Sequence, residues 1–330
     1  MAICNLETMT PAPPKTRTYV YGPVPSRRLG FSLGVDILPF KTCSMDCVYC
    51  QLGAEAVTTV RRRSFVPIED VLKQIEDVLR SGCRVDAITF SGSGEPTLHS
   101  GVGRLIRAIK RRTSVPVIVL TNSSMLSRPS VRRDLAAADI VVPSLDAVTE
   151  SVFKKVNRPH PSLSAAEIVD GLAAFRREYP GQIWLEVLLV RGINDGLPHL
   201  RALKKAIARL RPDRVQLNTV VRPPAEKSAR PLGLEDLESV KAFLGGTVEI
   251  IADFKKFDQA PAKKNLAEQI LEFIRRRPET ADGIARSLGA TVVEIRGACR
   301  DLKERGEIRA VIHDARAYYE PTSPDSKPKT

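Results

Sequence analysis

The sequence predicts an α/β fold, a partial (β/α)6 barrel followed by a smaller second domain. From residue 32 to about residue 254, short apolar runs alternate with amphipathic segments, which is the pattern of repeated β-α units around a parallel sheet. The apolar runs are rich in Val, Ile and Leu, as expected for strands buried on both faces. A break at residues 259–262 then precedes a segment of different character.

Six segments have the length and composition of buried strands, and helical segments connect them. Between the first two, Pro67 opens a helix with one apolar stripe, and Gly82 ends it. A further β-like run covers residues 247–253. The six predicted barrel strands are 32–38, 86–92, 115–122, 139–145, 183–190 and 214–220.

The second domain has three helix signals and then a hairpin signal. Thr280 is placed to cap its second helix, and Thr291 with Glu294 forms a capping box for the third, which stops at Gly306. Two alternating runs follow. Three helices followed by a hairpin predict a winged helix-turn-helix. The predicted boundaries are a disordered N-terminal segment at 1–18, the barrel at 19–258, the winged-helix domain at 265–320 and a disordered tail at 321–330.

Composition describes a basic globular protein. The chain has 330 residues and a formal net charge of +13, and almost all of the excess lies before residue 265. This balance suits an anionic partner such as RNA, a phosphorylated metabolite or an acidic protein. No uncharged apolar run reaches the length of about 18 residues that a membrane helix needs, and no secretory signal is readable. The sequence therefore predicts a cytoplasmic protein without a membrane partner.

The segment with the strongest chemical signal follows the first predicted strand. It spaces three of the six cysteines as C-x3-C-x2-C, and the others are scattered at 4, 83 and 299. A structural zinc ion takes four protein ligands, whereas a [4Fe–4S] cluster held by three cysteines leaves one iron open. The three clustered cysteines are Cys43, Cys47 and Cys50.

This spacing, with an aromatic residue before the last cysteine, resembles that of the radical S-adenosylmethionine (SAM) superfamily. The resemblance covers most of residues 19–254, where Ser91–Thr97 matches a Gly-Glu motif after the second strand. It implies that Cys43, Cys47 and Cys50 bind a [4Fe–4S] cluster whose open iron chelates SAM. The SAM contacts implied by the matching motifs are Tyr49, Gly94, Glu95, Ser144, Asp146 and Ile193.

The segment from Tyr21 to Gly30, together with Cys-Val-Tyr-Cys-Gln-Leu-Gly, looks like a largely uncharacterised group filed near the wyosine-synthase-type tRNA enzymes. The resemblance implies an oxidoreductase-type enzyme that reductively cleaves SAM to a 5′-deoxyadenosyl radical, which abstracts hydrogen from an anionic substrate, with tRNA as one candidate. An external flavodoxin or ferredoxin is implied as the electron donor. The residues expected to bind substrate are Arg27, Arg28, Glu186 and Arg222.

Two other interpretations remain open from the sequence. One is a radical activase or modifying enzyme that acts on a partner protein. The other is an iron–sulfur redox sensor in which the winged helix regulates transcription. The Gly-Glu motif counts against the sensor, because a sensor needs no SAM pocket.

Overall fold

A computed structural model describes residues 17–26, 28–54, 56–252, 266–288 and 290–322. Its centre is an eight-stranded, mostly parallel sheet in the order β1-β2-β5-β6-β7-β8-β9-β10. The strands are β1 (Val20–Ser26), β2 (Gly30–Val35), β3 (Thr42–Cys43), β4 (Val57–Thr58), β5 (Ala87–Phe90), β6 (Val117–Thr121), β7 (Ile140–Pro143), β8 (Gln182–Leu189), β9 (Arg214–Thr219), β10 (Val248–Ile250), β11 (Glu279–Thr280), β12 (Ile308–His313) and β13 (Arg316–Pro321).

The six predicted barrel strands correspond to β2 and β5 to β9, which pair in parallel. The further β-like run predicted at 247–253 contains β10, which pairs in parallel with β9. The structure adds β1, which was not predicted, in antiparallel pairing with β2. Gly22, Pro23 and Pro25 interrupt the alternation of side chains in β1, and proline in a strand is confined to edges and bulges. The register of β1 shifts between Tyr21 and Val24, which is consistent with an irregular edge strand.

Helices connect the parallel strands, as predicted. The first begins after Pro67 and ends just before Gly82. In the second, Val102, Leu105 and Ile106 are fully buried, because residues three and four apart share one helix face. The helices are α1 (Ile68–Arg80), α2 (Val102–Lys110), α3 (Pro129–Leu135), α4 (Glu150–Val156), α5 (Ala165–Glu178), α6 (Leu197–Leu210), α7 (Leu234–Leu244), α8 (Leu266–Arg276), α9 (Ala281–Leu288) and α10 (Val292–Glu304).

The C-terminal part contains α8, α9 and α10 and a sheet in the order β11-β13-β12. The capping box of Thr291 and Glu294 is confirmed, and Thr280 Oγ1 accepts a hydrogen bond from Gly283 N–H. The two-residue strand β11 was not predicted. Three helices and a hairpin are present, and their classification as a winged helix-turn-helix stays a prediction, as do the domain boundaries. Most of the two segments predicted to be disordered lies outside the described residues, and β13 extends to Pro321.

The C-terminal part packs against the barrel where β9 ends. Val24 of β1 belongs to the apolar core of the C-terminal part, together with Ile270 and Ile284. Tyr318 Oη donates a 2.7 Å hydrogen bond to the carbonyl oxygen of Val221. Among the described residues, no helix has the length and apolarity needed to cross a membrane.

Candidate active site

A cavity of about 410 Å³ lies inside the curved sheet. Its walls come from residues on β1, β2, β5, β6, β8 and β9 and from the loops that follow the strands. Parallel α/β barrels gather their functional residues at the carboxyl ends of their strands. The cavity is therefore where the predicted site residues should meet.

All three clustered cysteines line this cavity. Their loop is held by the end of α4, because the backbone N–H of Val48 donates to the carbonyl of Val156, the last residue of that helix, at 3.0 Å. Lys41, 4% exposed, donates to Asp46 Oδ1 at 2.7 Å within the same loop. The loop is thus fixed by contacts before and between the cysteines.

Burial makes the three thiols weak acids. It raises the pKa of Cys43 to about 12, and it also raises the pKa of Cys47 and Cys50. A buried thiolate is unfavourable without a positive partner, and metal coordination supplies one. These thiols are therefore placed to be ligands and not solvent-exposed nucleophiles.

Two asparagine amides point at cysteine sulfurs. Asn122 Nδ2 lies 3.4 Å from Cys43 Sγ and 2.9 Å from Ser44 Oγ. Asn157 Nδ2 lies 3.4 Å from Cys47 Sγ and also contacts Asp146. Outer-shell hydrogen bonds of this kind orient ligands and tune a metal centre. Neither sulfur contact was predicted from the sequence.

The Gly-Glu motif lies directly against the cysteine loop. A Cβ at Gly94 would overlap the Thr42 carbonyl oxygen, and the next N–H, that of Glu95, donates to the same oxygen at 3.1 Å. Gly92 has φ +138, a backbone angle that residues other than glycine rarely adopt. The motif therefore presents bare backbone to the cavity, which both glycines line.

The Glu95 carboxylate is a buried hydrogen-bond acceptor that supports the motif. It is 2% exposed and accepts hydrogen bonds from Thr97, from Thr121 Oγ1 at 2.7 Å and from Asn122 N–H at 2.6 Å. Burial raises its pKa, although these hydrogen bonds favour the ionised form. The carboxylate joins the Gly-Glu motif to the loop that carries Asn122, and the predicted SAM contact of the motif stays a prediction.

The remaining predicted SAM contacts are only partly brought together. Tyr49 and Ser144 line the cavity, but Asp146 and Ile193 are not among the described residues that do so. Asp146 lies behind Tyr49 and accepts hydrogen bonds from Tyr49 Oη and, at 2.9 Å, from Leu188 N–H. Ile193 packs against the main apolar core. Asp146 thus orients Tyr49, and sequence position alone did not distinguish this role from direct contact.

Two of the predicted substrate residues are paired across the sheet. Arg28 Nη1 lies 2.6 Å from Glu186 Oε2 and 2.8 Å from Gln216 Oε1. Glu186 therefore points inward, as predicted, and has the partner that a buried carboxylate needs. Arg27 lies outside the described residues. Arg222 is 9% exposed and pairs with Glu279 of the C-terminal part at 3.2 Å.

Among the described residues of the C-terminal part, Phe273 and Arg277 also line the cavity. Sequence reasoning missed both because it placed them in a separate domain. No local signal identifies them, since an Arg next to a Pro at a helix end is an ordinary surface pattern. The contact between the two parts of the chain is what makes them site residues.

The cavity residues fit the cofactors that the cysteine spacing suggests. Three thiols on one loop supply the ligands of a [4Fe–4S] cluster with one open iron, and the bare Gly92 and Gly94 backbone leaves room beside them. In the part of the chain that the structure describes, no group of three or more His, Cys, Asp and Glu side chains is arranged to hold a single metal ion.

Comparison with known proteins gives a consistent result. The family model described as the radical SAM superfamily matches residues 37–203. A UPF0026 protein of Methanocaldococcus jannaschii is 32% identical over 311 residues, which cover 92% of this chain and 95% of that protein. A protein of Brachyspira hyodysenteriae named GTPase Obg is 38% identical over 296 residues, and the match covers 89% of this chain but 44% of that protein.

A solved structure shares the fold. It is a radical SAM methyltransferase from Sphaerobacter thermophilus, with a TM-score of 0.50, 18% identity and a match that covers 66% of each chain. At this identity the likeness concerns the fold alone. From the family match and the cysteine-lined cavity we conclude that this chain belongs to the radical SAM superfamily, as an enzyme that uses a [4Fe–4S] cluster and SAM.

Proposed function

We propose that this protein binds its cluster through Cys43, Cys47 and Cys50, holds SAM beside the Gly-Glu motif, and abstracts hydrogen from an anionic substrate in the same cavity. The observation that carries the proposal is that the three cysteines, the bare Gly92 and Gly94 backbone and several basic side chains share one cavity. When bound, the cluster and SAM supply a 5′-deoxyadenosyl radical. The protein's own residues position the reactants and keep water away.

The charge of the cavity wall supports an anionic substrate. Among the described residues, the basic side chains that line it are Arg28, Lys41, Arg222 and Arg277, against the single carboxylate of Glu186. Guanidinium groups bind phosphate and carboxylate in a two-pronged geometry. Transfer RNA is a candidate, since the whole chain carries a net charge of +13 and an enzyme with an interior site can take in a single extruded nucleotide.

Tyr49 is the residue we assign to the adenine of SAM. Its ring lines the cavity between two ligand cysteines, and its hydroxyl is fixed by Asp146. Asp146 is 3% exposed, and burial raises the pKa of both groups. A fixed aromatic ring is a ready stacking surface for a nucleobase.

We assign the C-terminal part to the winged helix-turn-helix class, from its three helices and hairpin. Helix α10 buries Ile295 and Leu302 and exposes Arg296, Arg300 and Lys303. That outer face is available to nucleic acid or to a partner protein. We also propose a cytoplasmic location and an external flavodoxin or ferredoxin as electron donor.

The test is anaerobic reconstitution with iron and sulfide, followed by dithionite and SAM, with 5′-deoxyadenosine measured by mass spectrometry. We expect the wild type and Cys299→Ala to form it, because Cys299 is buried in the C-terminal core. Cys43→Ala should form none. A Cys43→Ala variant as active as the wild type would overturn the proposal.

The same preparations separate the alternatives. Incubation with tRNA and, separately, with a cell-protein fraction should raise 5′-deoxyadenosine production only with the true substrate class. A response to protein alone would favour the radical activase. A full cluster with no SAM binding, together with sequence-specific DNA binding that depends on the cluster, would favour the redox sensor.

A further inference from the structure

Arg277 reaches the cavity from the C-terminal part of the chain. It lies between α8 and β11, and its side chain is 20% exposed. The Phe273 ring lies under its guanidinium, with the Arg277 Cζ 4.9 Å from the ring centroid. Stacking of this kind holds the planar guanidinium in one orientation. Arg277 is thus a fixed cation in the cavity wall.

The guanidinium of Arg277 is poorly paired for a side chain that is only 20% exposed. Among the described residues it makes no hydrogen bond, and its ion-pair contact is Glu279 Oε2, 3.9 Å from its Nε. The same Glu279 oxygen is closer to Arg222 Nη2, at 3.2 Å. Two guanidinium groups therefore share one carboxylate, and Arg277 has the weaker contact.

Two other cations of the cavity, Arg28 and Lys41, are better satisfied. Arg28 donates from Nη1 to both Glu186 and Gln216, at 2.6 and 2.8 Å. Lys41 donates to Asp46 Oδ1 and to a backbone carbonyl. A cation that already donates to fixed acceptors gains little from a ligand anion, because it must give up those bonds. Arg277 gives up none.

Burial makes this arrangement costly unless an anion completes it. A charge that is largely removed from water and weakly paired loses hydration with little compensation. Burial, and then the nearby charge of Arg222, lowers the pKa of Arg277 to about 10, so the group stays protonated at neutral pH. An oxyanion in the cavity would accept two parallel N–H bonds from the free fork of this guanidinium.

We propose that Arg277 binds an oxyanion of the substrate, a phosphate or a carboxylate, inside the cavity that also holds the cluster cysteines. This inference rests on the proposed function, because it takes the cavity to be the substrate site. It makes the C-terminal part a contributor to substrate binding. Removal of the Arg277 side chain should weaken substrate binding and leave SAM binding unchanged.

The experiment uses the full reconstituted chain with saturating SAM, so that sites for the SAM carboxylate are filled. Inorganic phosphate and succinate are titrated separately by calorimetry at constant ionic strength. The variants are Arg277→Met, which keeps the length of the side chain, and Arg277→Lys, which keeps the charge. The matched control is Arg209→Met, on α6, which removes an exposed arginine paired with Asp170 at 2.7 Å.

We expect the wild type and Arg209→Met to bind one of the two probes with equal affinity. Arg277→Met should bind it about tenfold more weakly or worse, and Arg277→Lys should fall between them, because hydrogen bonds to charged groups are worth about that much. Affinity for SAM should not change in either Arg277 variant. Preference for phosphate over succinate, or the reverse, identifies the anion.

Three results would overturn the inference. They are no binding of either probe by the wild type, equal probe affinity in wild type and Arg277→Met, and a parallel loss of SAM affinity in Arg277→Met, which would assign Arg277 to SAM. Formation of 5′-deoxyadenosine is measured on the same samples. Its absence from the wild type would count against the proposed function and not against the anion site.

Discussion

Replacement of Glu95 by Gln should destabilise the protein far more than its conservative chemistry suggests. One carboxylate oxygen accepts hydrogen bonds from Thr97 N–H, Thr97 Oγ1 and Thr121 Oγ1, and the other accepts from Asn122 N–H at 2.6 Å. Glutamine has one acceptor oxygen and one NH₂ group. Whichever way the amide is turned, its NH₂ group faces a donor.

The better orientation keeps the amide oxygen on the Thr97 and Thr121 side and turns the NH₂ group toward Asn122 N–H. That leaves two buried donors without an acceptor, and each costs about 1–3 kcal/mol. Loss of the buried negative charge offsets part of this, since burial raises the pKa of Glu95. The expected net loss in free energy of unfolding is therefore about 2–4 kcal/mol.

Urea unfolding of the metal-free protein at neutral pH measures this loss. With a slope of about 3 kcal/mol per molar urea, the midpoint should fall by about 1 M. The control is Glu178→Gln, which removes an exposed carboxylate that pairs with Arg132 at 2.8 Å and should cost less than about 1 kcal/mol. Equal midpoints for the two variants would refute the role assigned to Glu95.

Three further predictions concern the cluster ligands, their hydrogen bonds and the contact between the two parts of the chain. Replacement of any loop cysteine by Ala should abolish the visible absorption of the reconstituted cluster, whereas Cys299→Ala should keep it. Asn122→Ala removes the amide 3.4 Å from Cys43 Sγ. If that hydrogen bond stabilises the reduced cluster by about 1 kcal/mol more than the oxidised cluster, its loss should lower the reduction potential by about 40 mV in an EPR titration. An unchanged potential would exclude the contact. Burial alone raises the pKa of Glu279, but the charges of Arg222 and Arg277 outweigh burial, and the pKa is lowered. The ionised Glu279 therefore stabilises the folded protein above pH 4.5, the ordinary pKa of a glutamate, and this stabilisation is lost as pH falls through the lowered pKa of the folded state. Glu279→Gln should remove this dependence, and urea midpoints of both proteins across that range will show whether the difference between them shrinks on acidification. The loop cysteines to be replaced are Cys43, Cys47 and Cys50.

The strands of the barrel were predictable because their cause is local. Residues such as those of β5 and β6 are apolar at nearly every position, which is what burial on both faces requires. Strand β1 gave no such signal, because Gly22 and the two prolines interrupt it. It forms because β2 offers it a free edge, and that edge exists only after the sheet has assembled.

The functional site likewise has one part that was predictable from the sequence and another that was not. The cysteine spacing and the Gly-Glu motif are contiguous, so their chemistry can be read from neighbouring residues. The amide contacts join residues 79 and 110 positions apart. Placement of Asp146 behind Tyr49, and not in the cavity wall, likewise depends on how β7 and β8 lie against the cysteine loop.

By itself, the sequence determined the α/β class, the spacing of three cysteines on one loop and the basic character of the protein, because each depends on residue type and short spacing. Only the tertiary structure decided which charges meet. It brings Arg222 to Glu279 across 57 positions and leaves Arg277 facing the cavity with a weaker contact to the same carboxylate. The physical reason is that the cost of a buried charge depends on every neighbour within a few ångströms, and those neighbours are chosen by the packing of the two parts of the chain.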